Sequence, residues 1–185
     1  AAAWRRGFAG KVVGITGSNG KTTVKEMTGS ILSCEGPTLV TRGNLNNHIG
    51  VPLTLSRLEA SHRFAVVEMG ANHQREIAHL ASLARPDVGL VINAGPAHLE
   101  GFGGIEGVAK GKGEMFEALE AGGTAVINAD DRFAAFWHGL ARKAGRVLTF
   151  GTRERADFTA CDVSSRATDS GFETAFALVT PAGRR

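Results

Sequence analysis

Tyrosine is absent from this chain of 185 residues, which has only two tryptophans, two cysteines and five prolines. Two thiols, Cys34 and Cys161, do not make a disulfide framework, and a chain this long buries a core without one. A reducing, cytoplasmic setting is therefore expected. No apolar run approaches the about 20 residues that cross a bilayer, so no membrane span is expected. The first ten residues contain Arg5 and Arg6 and lack the continuous apolar segment of a secretory signal. A charge excess of one sign is missing too. The formal net charge is +3, but Arg5, Arg6, Arg184 and Arg185 alone supply four positives. The body between them is slightly negative and offers no stripe for nucleic acid.

Glycine, by contrast, is plentiful: 25 residues, about twice the usual share, so the chain turns sharply and often. Apolar runs rich in β-formers alternate with helical periodicity. Strands are expected at 12–16, 38–41, 64–69, 88–93, 124–128 and 146–150, and helices at 21–33, 73–84, 105–119 and 131–144. This is the pattern of βαβ units, and runs such as 64–67, apolar throughout, imply strands covered on both faces. The expected fold is α/β, a mostly parallel sheet flanked by helices. After Phe150 the pattern changes. Phe172, Thr174, Phe176 and Leu178 alternate with their neighbours behind a turn-like Thr168-Asp169-Ser170-Gly171, so 151–185 is expected to be a small antiparallel extension.

The strongest chemical signal is Val12-Val13-Gly14-Ile15-Thr16-Gly17-Ser18-Asn19-Gly20-Lys21-Thr22-Thr23, a strand that runs through a glycine turn into a helix. Phosphate binding needs that order of parts. Glycines let backbone N–H groups point inward, a helix start adds partial positive charge, and Lys21 can reach the terminal phosphates. Thr22 is then a magnesium ligand. The strict G-x-x-x-x-G-K-[ST] pattern needs glycine where Ile15 stands, so this is a variant loop. Glu68 ends another expected strand, where an open α/β sheet places its ligands and an acid can hold magnesium. His98 and Glu100 follow a third; position alone fits a ligand or a surface side chain equally. The helix at 105–119 carries an apolar stripe of Ile105, Val108, Ala109, Met115, Phe116 and Leu119, and Lys112 completes its spacing. A lysine placed inward loses solvation, its pKa falls, and the neutral amine can take up carbon dioxide as a carbamate; the alternative is a head that snorkels to water. Gly111 and Gly113 beside it imply a close approach to the helix backbone.

Together these segments resemble the central ATPase domain of the Mur ligases, the amide-forming enzymes of peptidoglycan precursor synthesis, over about residues 8–150. The resemblance lies in the shortened phosphate loop, in residues 41–52 around Asn44-Leu45-Asn46-Asn47-His48, in Glu68-Met69-Gly70-Ala71-Asn72 and in Pro96-Ala97-His98-Leu99-Glu100-Gly101-Phe102. These motifs are most similar to the branch that adds D-alanyl-D-alanine to UDP-N-acetylmuramoyl-tripeptide. The resemblance implies ATP as co-substrate: the tripeptide carboxylate takes the γ-phosphoryl group, and the dipeptide amine attacks the acyl phosphate. It assigns Gly17 to Thr23 to the nucleotide, with Lys21 on its phosphates. Thr22 and Glu68 would hold a first Mg2+ and His98 a second, and Lys112 matches the carbamylated lysine of relatives. Asn128 would contact adenine. Asn44, Asn46 and Asn47 would meet the sugar-peptide substrate or the nucleotide, or form a capped polar turn.

Relatives of this kind carry a domain on either side, so 1–10 is expected to be a linker, 11–150 the ATP-binding domain and 151–185 its extension. As an excised central domain the chain would bind nucleotide weakly, turn over poorly and tend to self-associate through faces that are otherwise covered; the intact protein is expected to be a monomer. A regulatory GTPase would need an Asn-Lys-x-Asp guanine reader and an Asp-x-x-Gly switch, and neither occurs. A folate-polyglutamylating ligase shares the loop, acid, His and Lys but not the stretch 43–52. A non-catalytic nucleotide-binding module is the third reading.

Overall fold

The computed structural model describes residues 2–169 and 171–184. A nine-stranded sheet forms its centre, in the order β2-β3-β1-β4-β5-β6-β7-β8-β9. The strands are β1 (Lys11–Thr16), β2 (Thr38–Val40), β3 (Phe64–Glu68), β4 (Val88–Val91), β5 (Thr124–Asn128), β6 (Arg146–Gly151), β7 (Phe158–Thr168), β8 (Gly171–Thr180) and β9 (Gly183–Arg184). The helices are α1 (Ala2–Gly7), α2 (Lys21–Glu35), α3 (Gly50–Leu55), α4 (Glu76–Ala84), α5 (Leu99–Phe102), α6 (Ile105–Glu117) and α7 (Ala134–Leu140). Pairing is parallel from β2 through β7 and antiparallel only in β7–β8 and β8–β9. The mostly parallel α/β sheet and its antiparallel end are as the sequence pattern leads one to expect.

β1 lies between β3 and β4: the chain leaves it through α2 for β2 on one side, and leaves β3 through α4 for β4 on the other. A crevice opens at such a reversal, beyond the carboxyl ends of the strands. Side chains alternate across the strands into two cores. Val12, Val67 and Met69 join Ile77, Leu80, Val108, Met115, Phe116 and Trp137 beneath α4, α6 and α7. Ile15, Val66 and Ile92 meet Val24, Leu32 and Val40 beneath α2. α2 comes down so closely that a Cβ on Gly29 would sit 2.6 Å from Val40 Cγ2.

The differences from the expected boundaries have local causes. Residues 73–75 precede α4 as a turn, because Arg75 is left-handed (φ 69°) at the helix start. α7 begins three residues late: the Asp131 carboxylate accepts the N–H groups of Ala94 (2.8 Å) and Phe133 (2.9 Å) and holds 131–133 as a turn. It ends early, at Leu140, in a short 3-10 turn. α1 lies inside the stretch expected as a linker, and Arg5 ties it down by donating to the carbonyls of Ala84 (2.7 Å) and Arg85 (2.8 Å) and to Asp87 (3.1 Å). In the extension, Phe172 and Phe176 alternate along β8 as expected but stay exposed. Ser170 of the expected turn, and Arg185, lie outside the described residues.

Candidate nucleotide and ligase site

The loop between β1 and α2 takes its shape from glycine and from a neighbouring strand. Gly17 (φ 156°) and Gly20 (φ 78°) adopt conformations that side chains disfavour, and Gly20 opens α2. Asn93, just beyond β4, supports the loop from below. Its Oδ1 accepts N–H bonds from Ser18 (3.1 Å) and Asn19 (3.0 Å), and its Nδ2 donates to the Asn19 carbonyl at 3.2 Å. Ser18 Oγ closes the brace, donating to Gly95 O and accepting from Gly95 N. Lys21 folds back over the turn and donates to the carbonyls of Gly17 (2.7 Å) and Ser18 (3.0 Å). Burial pushes its pKa down against the opposing pull of Glu68. An ammonium held by two carbonyls at a helix start is placed to exchange them for phosphate oxygens.

Glu68, at the end of β3, is almost wholly buried. Its backbone N–H donates to Thr41 Oγ1 (3.0 Å), Thr22 Oγ1 donates to its Oε2 (3.2 Å) and Asn46 Nδ2 to its Oε1 (2.7 Å). Among the described residues there is no cluster of three or more His, Cys, Asp or Glu that could hold a metal ion by itself. A hydroxyl and one carboxylate beside a phosphate loop nevertheless fit magnesium, which keeps waters and takes its other oxygens from the substrate.

A cavity of about 640 Å³ opens over these parts, lined by Gly17, Ser18 and Lys21 from the first loop, Asn46 and Asn47 from the second, and Gly70 to Asn72 after β3. His98, and Lys112 from α6, line the same space. Lys112 is buried; its ammonium donates to the Ala71 carbonyl at 3.3 Å and lies 5.3 Å from the centre of the Phe102 ring. Desolvation, then repulsion from Lys21, lowers its pKa to about 8. Lys110 is exposed. The flanking glycines admit close neighbours, since a Cβ on Gly111 would meet Phe102 Cε1 at 2.4 Å and one on Gly113 would meet Leu140 Cδ1 at 2.5 Å. His98 is exposed on the rim, left-handed (φ 56°) at the start of α5.

Thr22 and Glu68 do not themselves line this cavity, and further expected residues also stand apart from it. Thr23 and Asn44 are exposed and do not line it. Asn128 lies behind the phosphate loop, donating to Ile92 O (2.9 Å) and accepting from Asp130 N (2.9 Å). Asn47 lines the cavity and also caps α3, accepting the N–H groups of Ile49 (3.1 Å) and Gly50 (2.9 Å).

Several residues that shape the site went unnoticed in the sequence. Asn93 is one. The buried Glu114 is another: it reaches from α6 to the start of α4 and accepts the N–H groups of Arg75 (2.6 Å) and Ala78 (3.0 Å), fixing a turn whose Gln74, Arg75 and Glu76 line the cavity. Burial works against the Glu76 carboxylate, but N–H donors from Asn72 (2.7 Å) and His73 (3.2 Å) outweigh it and lower its pKa. Lys25 is the third, wholly buried in α2. Its signal was available: 25, 29 and 32 share the i, i+4, i+7 spacing that betrays Lys112.

Residues 15–183 match the Mur ligase middle domain. The chain is 50% identical over 185 residues to the UDP-N-acetylmuramoyl-tripeptide--D-alanyl-D-alanine ligase of Escherichia coli, covering 98% of this chain and 40% of that protein. It superposes on MurF from Acinetobacter baumannii with a TM-score of 0.91 at 40% identity, over 100% of this chain and 39% of that one. For MurF of Thermotoga maritima in complex with ADP the TM-score is 0.84 at 30% identity, over 100% and 41%. The chain thus spans 40% of the length of the Escherichia coli relative and about the same share of these two solved chains. With the match running from the end of β1 to β9, the chain belongs to the Mur ligase middle-domain family.

Proposed function

We propose that this chain is the nucleotide-binding part of an ATP-dependent ligase that joins D-alanyl-D-alanine to UDP-N-acetylmuramoyl-tripeptide. The observation that carries the reading is convergence. Segments near residues 20, 46, 70, 98 and 112, far apart in sequence, line one crevice at the carboxyl ends of parallel strands. The named relatives, and the ADP held by the Thermotoga maritima neighbour, support it.

In this reading the N–H groups of the first loop and the start of α2 bind the phosphates, and Lys21 exchanges two carbonyls for phosphate oxygens. Thr22 and Glu68 hold a magnesium ion, which neutralises phosphate charge when bound. The cavity beyond is rich in cationic or protonatable groups, Lys21, Arg75 and Lys112 with His48, His79 and His98, against a single carboxylate, Glu76. That balance suits bringing a substrate carboxylate up to a triphosphate, two anions that otherwise repel. Lys112, with its lowered pKa, is the group able to take up carbon dioxide: the amine forms an N–C bond and releases a proton, leaving a carbamate. The carbamate and His98 would serve a second magnesium ion. Free Cys34 and Cys161 are compatible with a reducing cytoplasm.

Calorimetric titration of the chain with ADP and ATP, with and without magnesium, tests the binding step. Binding that Lys21→Met lowers by about a hundredfold is expected, from loss of charge-assisted contacts. No binding, or binding indifferent to that substitution, overturns the reading. The ligase itself is tested on the intact polypeptide by phosphate release that requires both the tripeptide and D-alanyl-D-alanine. The same release from this chain alone would contradict the part assigned to it.

A further inference from the structure

Burying an ammonium is costly, and methionine would fill a similar volume without that cost. Lys25 nevertheless sits wholly buried in the second turn of α2. Its Nζ donates to the carbonyls of Thr41 (2.9 Å) and Gly43 (3.3 Å) and meets Glu26 Oε1 at 2.7 Å. The first two partners belong to the loop that follows β2. That loop touches Glu68 twice, through Thr41 Oγ1 on its backbone N–H and through Asn46 Nδ2 on its carboxylate. Asn46 O also accepts the N–H of Gly70 at 2.8 Å. The other oxygen of Glu68 returns to α2 through Thr22. A closed circuit results: helix, loop, strand end, helix.

We propose that Lys25 is a positioning residue that locks the loop at 41–46 to α2 and so aims the Glu68 carboxylate beside the phosphate loop. Lys25 lies one helical turn beyond Lys21 and never meets the cavity. It therefore acts on how well the site holds a divalent cation with its nucleotide, and leaves the phosphate grip alone. The inference rests on the nucleotide reading above, and its test separates the two.

The test compares ADP affinity in the presence and absence of magnesium for the unaltered chain and for Lys25→Met, with circular dichroism to establish folding. The expected result is that Lys25→Met loses about tenfold of the affinity that magnesium adds, as for a charge-assisted contact, while metal-free ADP affinity holds. A folded variant that keeps the magnesium increment overturns the proposal, as does one in which both affinities fall together, the mark of a structural role only. Should Lys25→Met not fold, side-chain NMR of the unaltered chain decides. The Lys25 ammonium and the Asn46 amide should shift together when magnesium joins ADP, and movement of Asn46 alone rejects the circuit. Absence of ADP binding by the unaltered chain removes both the nucleotide reading and this inference.

Discussion

Lys112 shows how a single buried amine links stability to pH. Its folded pKa, about 8, lies below the ordinary lysine value of 10.5. Below pH 8 both folded and unfolded chains carry the proton, and the cost of burying the charge is constant. Between about 8 and 10.5 the unfolded chain binds the extra proton, so stability rises with pH through that window, by on the order of 3 kcal/mol. Urea midpoints measured from pH 7 to 10.5 should climb for the unaltered chain and stay flatter for Lys112→Met, which should also be the more stable near neutrality. Glu114 is buried with a hydrogen bond on each carboxylate oxygen. Glu114→Gln replaces a carboxylate that accepts two N–H bonds at the start of α4, and a loss of about 1–3 kcal/mol is expected, read as a lower thermal midpoint. Lys112 was legible because a helical stripe exposes an intruding polar residue. Glu114 was not, since its partners lie 39 and 36 residues away and only the packing of α4 on α6 brings them near.

Elements were readable in proportion to their length and to how completely they are covered. β1, β3 and β5 were recognisable because strands sandwiched between helices are apolar in continuous runs. Helices α1 and α3 have six residues each and α5 only four, too few turns for a 3.6-residue period to emerge. The start of the β6–β7 connection is held by Asp130, and its end by Asp157. Asp130 accepts the N–H groups of Thr152 (2.7 Å), Arg153 (3.0 Å) and Glu154 (2.8 Å). Desolvation works against its charge, but these donors prevail and bring its pKa down to about 2. The stability they give is present above the ordinary aspartate value and is lost as pH falls toward 2. Asp130→Asn should raise hydrogen exchange at 152–154 and remove that acid dependence. On α6, Gly111→Ala would drive a methyl group into the Phe102 ring, displacing α5 and the ring above which Lys112 lies. A loss of about 1–3 kcal/mol, measured by chemical denaturation, is expected.

At the scale of the whole molecule, the outer end of the sheet is less covered than its centre. Phe172 is 85% exposed, and Phe176 and Val163 are more than half exposed, on a β7–β8 hairpin that extends past its short neighbour β9. An apolar strand face at a sheet edge invites association. Phe172→Ser with Phe176→Ser should lower any concentration-dependent rise in sedimentation coefficient, with little change in the thermal midpoint. The alternation at 172–178 foretold the strand itself. It could not foretell that no helix among the described residues covers it, because pattern records which side chains share a face and not what lies opposite.

The two faces of the sheet are unequally guarded. Several helices share one of them, whereas the other depends on α2, whose contact centres on Ile15, Val66 and Ile92. The helix that shields this smaller core also begins at Lys21. Anything that grips the start of α2 thereby keeps the roof on the weaker half of the protein. Occupancy of the crevice should then be recorded as resistance to limited proteolysis within 21–35, well before it is recorded anywhere else in the chain.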